Sequence, residues 1–66
     1  MKITVNGESR EAGSGTTVIE LLDSLALDPD STVVERNGLV LQRDQFGDTL
    51  LEKGDVLELL RFVGGG

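Results

Sequence analysis

The chain has no cysteine, no histidine, no tyrosine and a single proline among its 66 residues. Each absence removes a class of function. Without thiols there is no disulfide to staple a domain of this size, which lies near the lower limit at which one apolar core holds unaided. Without cysteine or histidine the soft ligands for zinc and most transition metals are missing, and only carboxylates remain for hard cations, so no metal cofactor is expected. The same gap takes away the commonest general base and the thiol nucleophile. So short a chain cannot wall a deep pocket around a serine or a carboxylate pair, and the sequence does not read as a self-sufficient enzyme.

Positive charge is also scarce. Six basic residues against twelve acidic ones leave a net charge of −6, which repels phosphate backbones, so nucleic acid is not an expected partner. An acidic surface can steer a small protein to a basic face on a larger enzyme, or simply keep it soluble. Residues 1–9 alternate apolar and polar without a continuous apolar run, so neither a signal peptide nor a membrane span is expected and a cytoplasmic location follows.

What is present is a short series of well-signalled elements. Ile3 and Val5 alternate with Lys2 and Thr4 as in a half-buried strand. Asn6-Gly7 suits a type I′ hairpin turn into a returning strand over 8–12, polar enough to lie at a sheet edge. Gly13, Ser14 and Gly15 form a loop; lacking the Gly-Lys-Ser/Thr ending of a phosphate loop, it reads as a plain turn. Thr17 and Glu20 then fit a capping box. Val18, Leu21, Leu22 and Leu25 follow at i, i+3, i+4 and i+7, one apolar face of a helix that Asp28, Pro29 and Asp30 bring to an end. A strand over Thr32–Arg36, a second Asn-Gly turn at Asn37-Gly38 and a short run 39–41 make a second hairpin. Residues 43–47 read as irregular, with Phe46 plugging the loop, and 52–55 as a polar turn before the final strand Val56–Arg61.

This order predicts one α+β domain over 1–66, with a single helix packed on one face of a small mixed sheet. The apolar density of the last strand places it centrally and parallel to the first. The expected core is Ile3, Val5, Val18, Leu21, Leu22, Leu25, Leu57 and Leu59 with Phe46. Parity on the last strand sets Leu57 and Leu59 on one face and Val56, Glu58 and Leu60 on the other. With the leucine pair under the helix, Val56 and Leu60 turn outward as a docking surface, and Phe62 shares their parity.

Beyond that strand, Phe62, Val63, Gly64, Gly65 and Gly66 form a tail that reads as flexible. Glycine lacks a Cβ and reaches backbone angles closed to other residues, so the run makes a thin lead suited to a partner's narrow cleft. Five extended residues from Phe62 span roughly 17 Å.

Two hairpins around a capped helix and a terminal Gly-Gly together resemble the ubiquitin-like β-grasp fold. Within it the sequence is most similar to the ThiS-type sulfur carriers of thiamine biosynthesis. The likeness runs through Val5-Asn6-Gly7, Thr17-Val18-Ile19-Glu20-Leu21-Leu22, Val33-Val34-Glu35-Arg36-Asn37-Gly38 and Arg61-Phe62-Val63-Gly64-Gly65-Gly66. It departs at Leu41-Gln42-Arg43, where family members often carry Val-Pro-Arg. The resemblance implies that Gly66 is adenylated by a ThiF-like adenylyltransferase using ATP with magnesium. Gly66 then receives sulfur from a donor enzyme as a thiocarboxylate and delivers it to a ThiG-like thiazole synthase. The carrier itself would bind no cofactor and be a monomer when free. Three alternatives stay open: a MoaD-like small subunit of molybdopterin synthase, a family that often runs longer and has prolines before its glycines; a non-covalent ubiquitin-like binding module, which would not need a free terminal glycine; and a protein-conjugation modifier, which would form an isopeptide with lysine.

Overall fold

Asn6 and Gly7 adopt φ values of 50° and 82°, the left-handed pair that a type I′ turn demands, and the turn closes strand β1 (Lys2–Val5) onto β2 (Glu8–Glu11). The structure, a computed structural model, describes residues 1–62. Asn37 and Gly38 repeat the device at 52° and 86° between β3 (Thr32–Arg36) and β4 (Leu39–Val40). Helix α1 (Val18–Ser24) lies between the hairpins, and β5 (Val56–Arg61) closes the series. The strands form one sheet in the order β2-β1-β5-β3-β4. Strand β5 is central, parallel to β1 and antiparallel to β3. This is the expected mixed sheet, with the exposed, polar β2 at one edge.

The start of α1 is fully tied down. Thr17 and Glu20 exchange the two hydrogen bonds of a capping box, while the Val18 and Ile19 N–H groups donate to the carbonyls of Thr49 and Phe46 at 3.0 Å each. The orphan donors of the first turn are thereby satisfied from within the chain. The loop before the helix therefore acts as a plain turn, with no helix-terminal N–H left over for an anion.

The helix ends sooner than the proline suggested. Ala26 takes φ 58°, its N–H donates to the Asp23 carbonyl at 3.0 Å, and Leu27 N–H donates to the Leu22 carbonyl at 2.9 Å. Those bonds make a Schellman ending with alanine at the position that favours glycine. Pro29 instead opens a 3₁₀ turn, Pro29–Ser31, capped by the Asp28 side chain. A second 3₁₀ turn, Arg43–Gln45, occupies part of the stretch that reads as irregular.

The core comprises Ile3, Val5, Val18, Leu21, Leu22, Val34, Phe46, Leu51 and Leu57. Phe46 is buried as expected and has the Arg43 guanidinium 5.5 Å from its ring centre. Val34 and Leu51 were not anticipated. Leu25 and Leu59 are only half-buried. Leu25 has already left helical geometry at the C-cap. Leu59 lies past the end of β1, whose last residue pairs with Leu57, and so lacks a strand neighbour on that flank.

Candidate functional site

The helix covers one face of the sheet, and the other face carries the candidate site. On β5 the alternation is unambiguous: Leu57 is buried, whereas Val56 is 45% and Leu60 66% exposed. Cross-strand partners share a face, and the register sets Val33 opposite Leu60 and Glu35 opposite both Glu58 and Val40. Val33, Val40, Val56 and Leu60 therefore form an apolar surface with Glu35 and Glu58 in its middle, all six on the uncovered side. Sequence parity had found Val56 and Leu60. It missed Val33 and Val40, whose outward direction follows only once the β3–β5 and β3–β4 registers are known.

The patch continues toward the tail. Phe62 N–H donates to the Ser31 carbonyl at 3.0 Å, which carries the β3–β5 ladder one residue beyond the strand, and the Phe62 side chain is exposed. The expectations for Val63, Gly64, Gly65 and Gly66 lie outside the described residues.

Glu35 and Glu58 face one another directly, an arrangement that costs stability between like charges. Among the described residues neither takes part in an ion pair. A surface of this kind, an exposed apolar patch with an acidic centre on an open sheet face, suits a protein partner. Nor do three acidic side chains converge on a cation site among the described residues.

At the start of β5 a polar cluster fixes the strand in place. Asp55 is only 4% exposed, and its carboxylate accepts from Glu52 N–H at 2.8 Å, Arg36 Nε at 2.9 Å and Asn37 Nδ2 at 3.0 Å. Burial pushes this carboxyl up, but the Glu52 N–H, the Asn37 amide and the Arg36 guanidinium together outweigh it and hold the group below its ordinary value. In return the hydrogen bond to Asp55 raises Arg36 against the opposing effect of its own burial. Arg36 also reaches Glu52 at 3.3 Å. The sequence marked Asp55 only as part of a polar turn, and no local pattern distinguishes it from Glu52 or Lys53 beside it.

Comparison with known proteins follows the same line. The family model described as "ThiS family" matches residues 3–66. The chain is 36% identical over 50 residues, 76% of each chain, to the sulfur carrier protein ThiS of Bacillus subtilis. It is 42% identical over its full 66 residues to the thiazole synthase of Magnetococcus marinus, of which it spans only 20%. The crystal structure of the thiamine biosynthesis protein ThiS from Geobacter metallireducens superposes with a TM-score of 0.84 at 39% identity, covering all of both chains.

Proposed function

The chain belongs to the ThiS family, and from that premise we propose that it carries sulfur for thiamine biosynthesis as a thiocarboxylate on Gly66. The observation that bears most of the weight is the continuity of the exposed apolar face with the strand that leads to the terminal glycines. A partner gripping Val56 and Leu60 holds the strand from which Val63, Gly64, Gly65 and Gly66 depart, and so sets where the carboxylate arrives.

The chemistry needs that delivery because a carboxylate is a poor acyl electrophile. In the first step a Gly66 carboxylate oxygen attacks the α-phosphorus of ATP, forming the acyl adenylate and releasing pyrophosphate. Sulfur supplied at the sulfide level, as HS−, then adds to the acyl carbon, loses its proton, and AMP leaves with one of the former carboxylate oxygens, giving the thiocarboxylate. ATP and magnesium belong to a ThiF-like adenylyltransferase, and the sulfur comes from a separate donor enzyme. The acceptor is a ThiG-like thiazole synthase, a partner supported by the thiazole synthase relatives that contain a region similar to this chain within a longer protein. On this reading the chain is a protein co-substrate, and its own side chains perform no catalytic step.

The test is intact-mass measurement after incubation with a ThiF-like enzyme, magnesium ATP and a sulfur donor. The expected product gains the mass of one oxygen-to-sulfur exchange, located at Gly66. A chain lacking Gly66 that still acquires sulfur at the normal rate would overturn the proposal.

A further inference from the structure

Strand β1 stops beside Leu57, yet β5 stays gripped on that flank for two residues more. Asn6 N–H donates to the Leu57 carbonyl at 2.9 Å. The Asn6 side chain then supplies the next rung by itself: its Oδ1 accepts from Leu59 N–H at 2.8 Å and its Nδ2 donates to the Leu59 carbonyl at 3.2 Å. A carboxamide presents an N–H donor and an oxygen acceptor side by side, as the N–H and C=O of a single residue on a neighbouring strand are presented, so it can stand in for a strand neighbour. The β1–β5 register itself ends at Val5 and Leu57, so among the described residues β1 offers no strand partner to Arg61 on this flank. On the β3 flank the last bond among the described residues is the one from Phe62 N–H to the Ser31 carbonyl.

Turn chemistry alone does not require this. The first position of a type I′ turn needs positive φ, which glycine provides as well as asparagine. What the turn does not need is a side chain that bonds both backbone groups of a residue 53 positions away. The second turn offers an internal comparison, because Asn37 clips β5 at its opposite end, where its Oδ1 accepts from Val56 N–H at 2.8 Å. One asparagine holds the strand where it enters the sheet; the other holds it where it leaves.

We propose that Asn6 is a positioning residue for acyl transfer at Gly66, its carboxamide setting the direction in which β5 delivers the tail to the activating enzyme. This rests on the carrier function proposed above. Without the Asn6 rung, β5 from Leu59 onward is held by β3 alone and twists about that single ladder. The β3 ladder still sets Leu60 opposite Val33, so the docking face keeps its pairing, but Gly66 arrives over a wider spread of positions, and misplacement of a reacting atom is costly.

The experiment compares Asn6→Gly with Asn37→Gly, both of which retain a residue able to hold positive φ. For the free domain, thermal midpoints and amide exchange at Phe62 are measured; with a ThiF-like enzyme and magnesium ATP, kcat and KM for pyrophosphate release are measured with the carrier as varied substrate. Both variants should melt earlier. Asn6→Gly should speed exchange at Phe62 and lower kcat about tenfold with KM changed less than about twofold, whereas Asn37→Gly should leave both kinetic constants within about twofold. Asn6→Asp, which keeps the acceptor for Leu59 N–H and loses the donor, should fall between wild type and Asn6→Gly and serves if the glycine variant does not fold. Equal kcat in the Asn6 and Asn37 variants, a change confined to KM, or undisturbed Phe62 exchange in Asn6→Gly would overturn the positioning role. Wild-type protein that elicits no pyrophosphate release would instead count against the carrier function, while the exchange comparison still decides whether Asn6 holds the strand.

Discussion

Replacing Asp55 with alanine should be among the most damaging changes outside the apolar core. The carboxylate is almost fully enclosed and accepts from a backbone N–H, a carboxamide and a guanidinium. Removing it leaves those donors facing a void. All three hydrogen bonds end on an ionised carboxylate, the class worth about 1.5–3 kcal/mol each before the carboxylate's own desolvation is subtracted, and removing one partner of such a buried cluster costs about 3–5 kcal/mol. A domain of this size has on the order of 5 kcal/mol or somewhat more to lose, so Asp55→Ala should be marginally folded at room temperature. Urea unfolding monitored by circular dichroism measures this, with Asp48→Ala as an exposed control. The pH dependence gives a second handle. Because the folded-state pKa is depressed, folding favours the ionised carboxyl. Its contribution is complete above the unfolded value of about 3.9 and is lost as pH falls through the folded value. Asp55→Asn should therefore be less stable than wild type at neutral pH, and the gap should shrink on acidification below pH of about 4. An Asp55→Ala midpoint within about 0.5 kcal/mol of the Asp48→Ala control, or a gap to Asp55→Asn that is constant through the acid range, would refute the reasoning.

Leu22, fully buried under the sheet-facing side of α1, should cost about 2–5 kcal/mol on truncation to alanine, seen as a lower denaturant midpoint at unchanged slope. Ala26→Gly should raise stability by about 0.5–1 kcal/mol, since glycine removes the strain of the left-handed conformation at φ 58°; a lower melting temperature in that variant would show that the position carries no strain. Leu60→Asp should fold normally, because the side chain is exposed, yet bind the activating enzyme much more weakly as its charge is desolvated against an apolar surface. Calorimetric titration with equal affinities at unchanged thermal stability would remove Leu60 from the docking face.

The readable parts of the sequence were those governed by local rules. Both Asn-Gly turns, the Thr17–Glu20 capping box and the alternation along β5 each depend on residues within a few positions of one another. The less readable parts depend on which distant segment lies alongside. Val34 looks like its neighbour Val33 until the pairing with Leu59 turns it inward. Asp55 looks like any turn acid until Arg36 and Asn37 arrive from the second hairpin. The same is true of Asn6, whose turn role was evident and whose grip on Leu59 was not. The helix end was misjudged for another reason: an alanine in left-handed geometry leaves no mark in the sequence, whereas the proline that follows does.

The adjacency of β1 and β5 also bears on how the protein comes into being. Ile3 and Val5 have no sheet to complete until Val56 and Leu57 arrive, so the pairing at the centre of the fold joins segments from opposite ends of the described chain. Closing so large a loop must precede most of the reward in buried apolar surface, which slows folding relative to a helical protein of equal length. During synthesis the hairpins and helix precede the last strand, but until it is made the two hairpins lack the strand that joins them into one sheet. A product terminated before Val56 would leave these elements without their common neighbour and expose the unpaired edge of β1 to other chains. The strand on which the proposed partners would close is thus also the one whose appearance completes the fold.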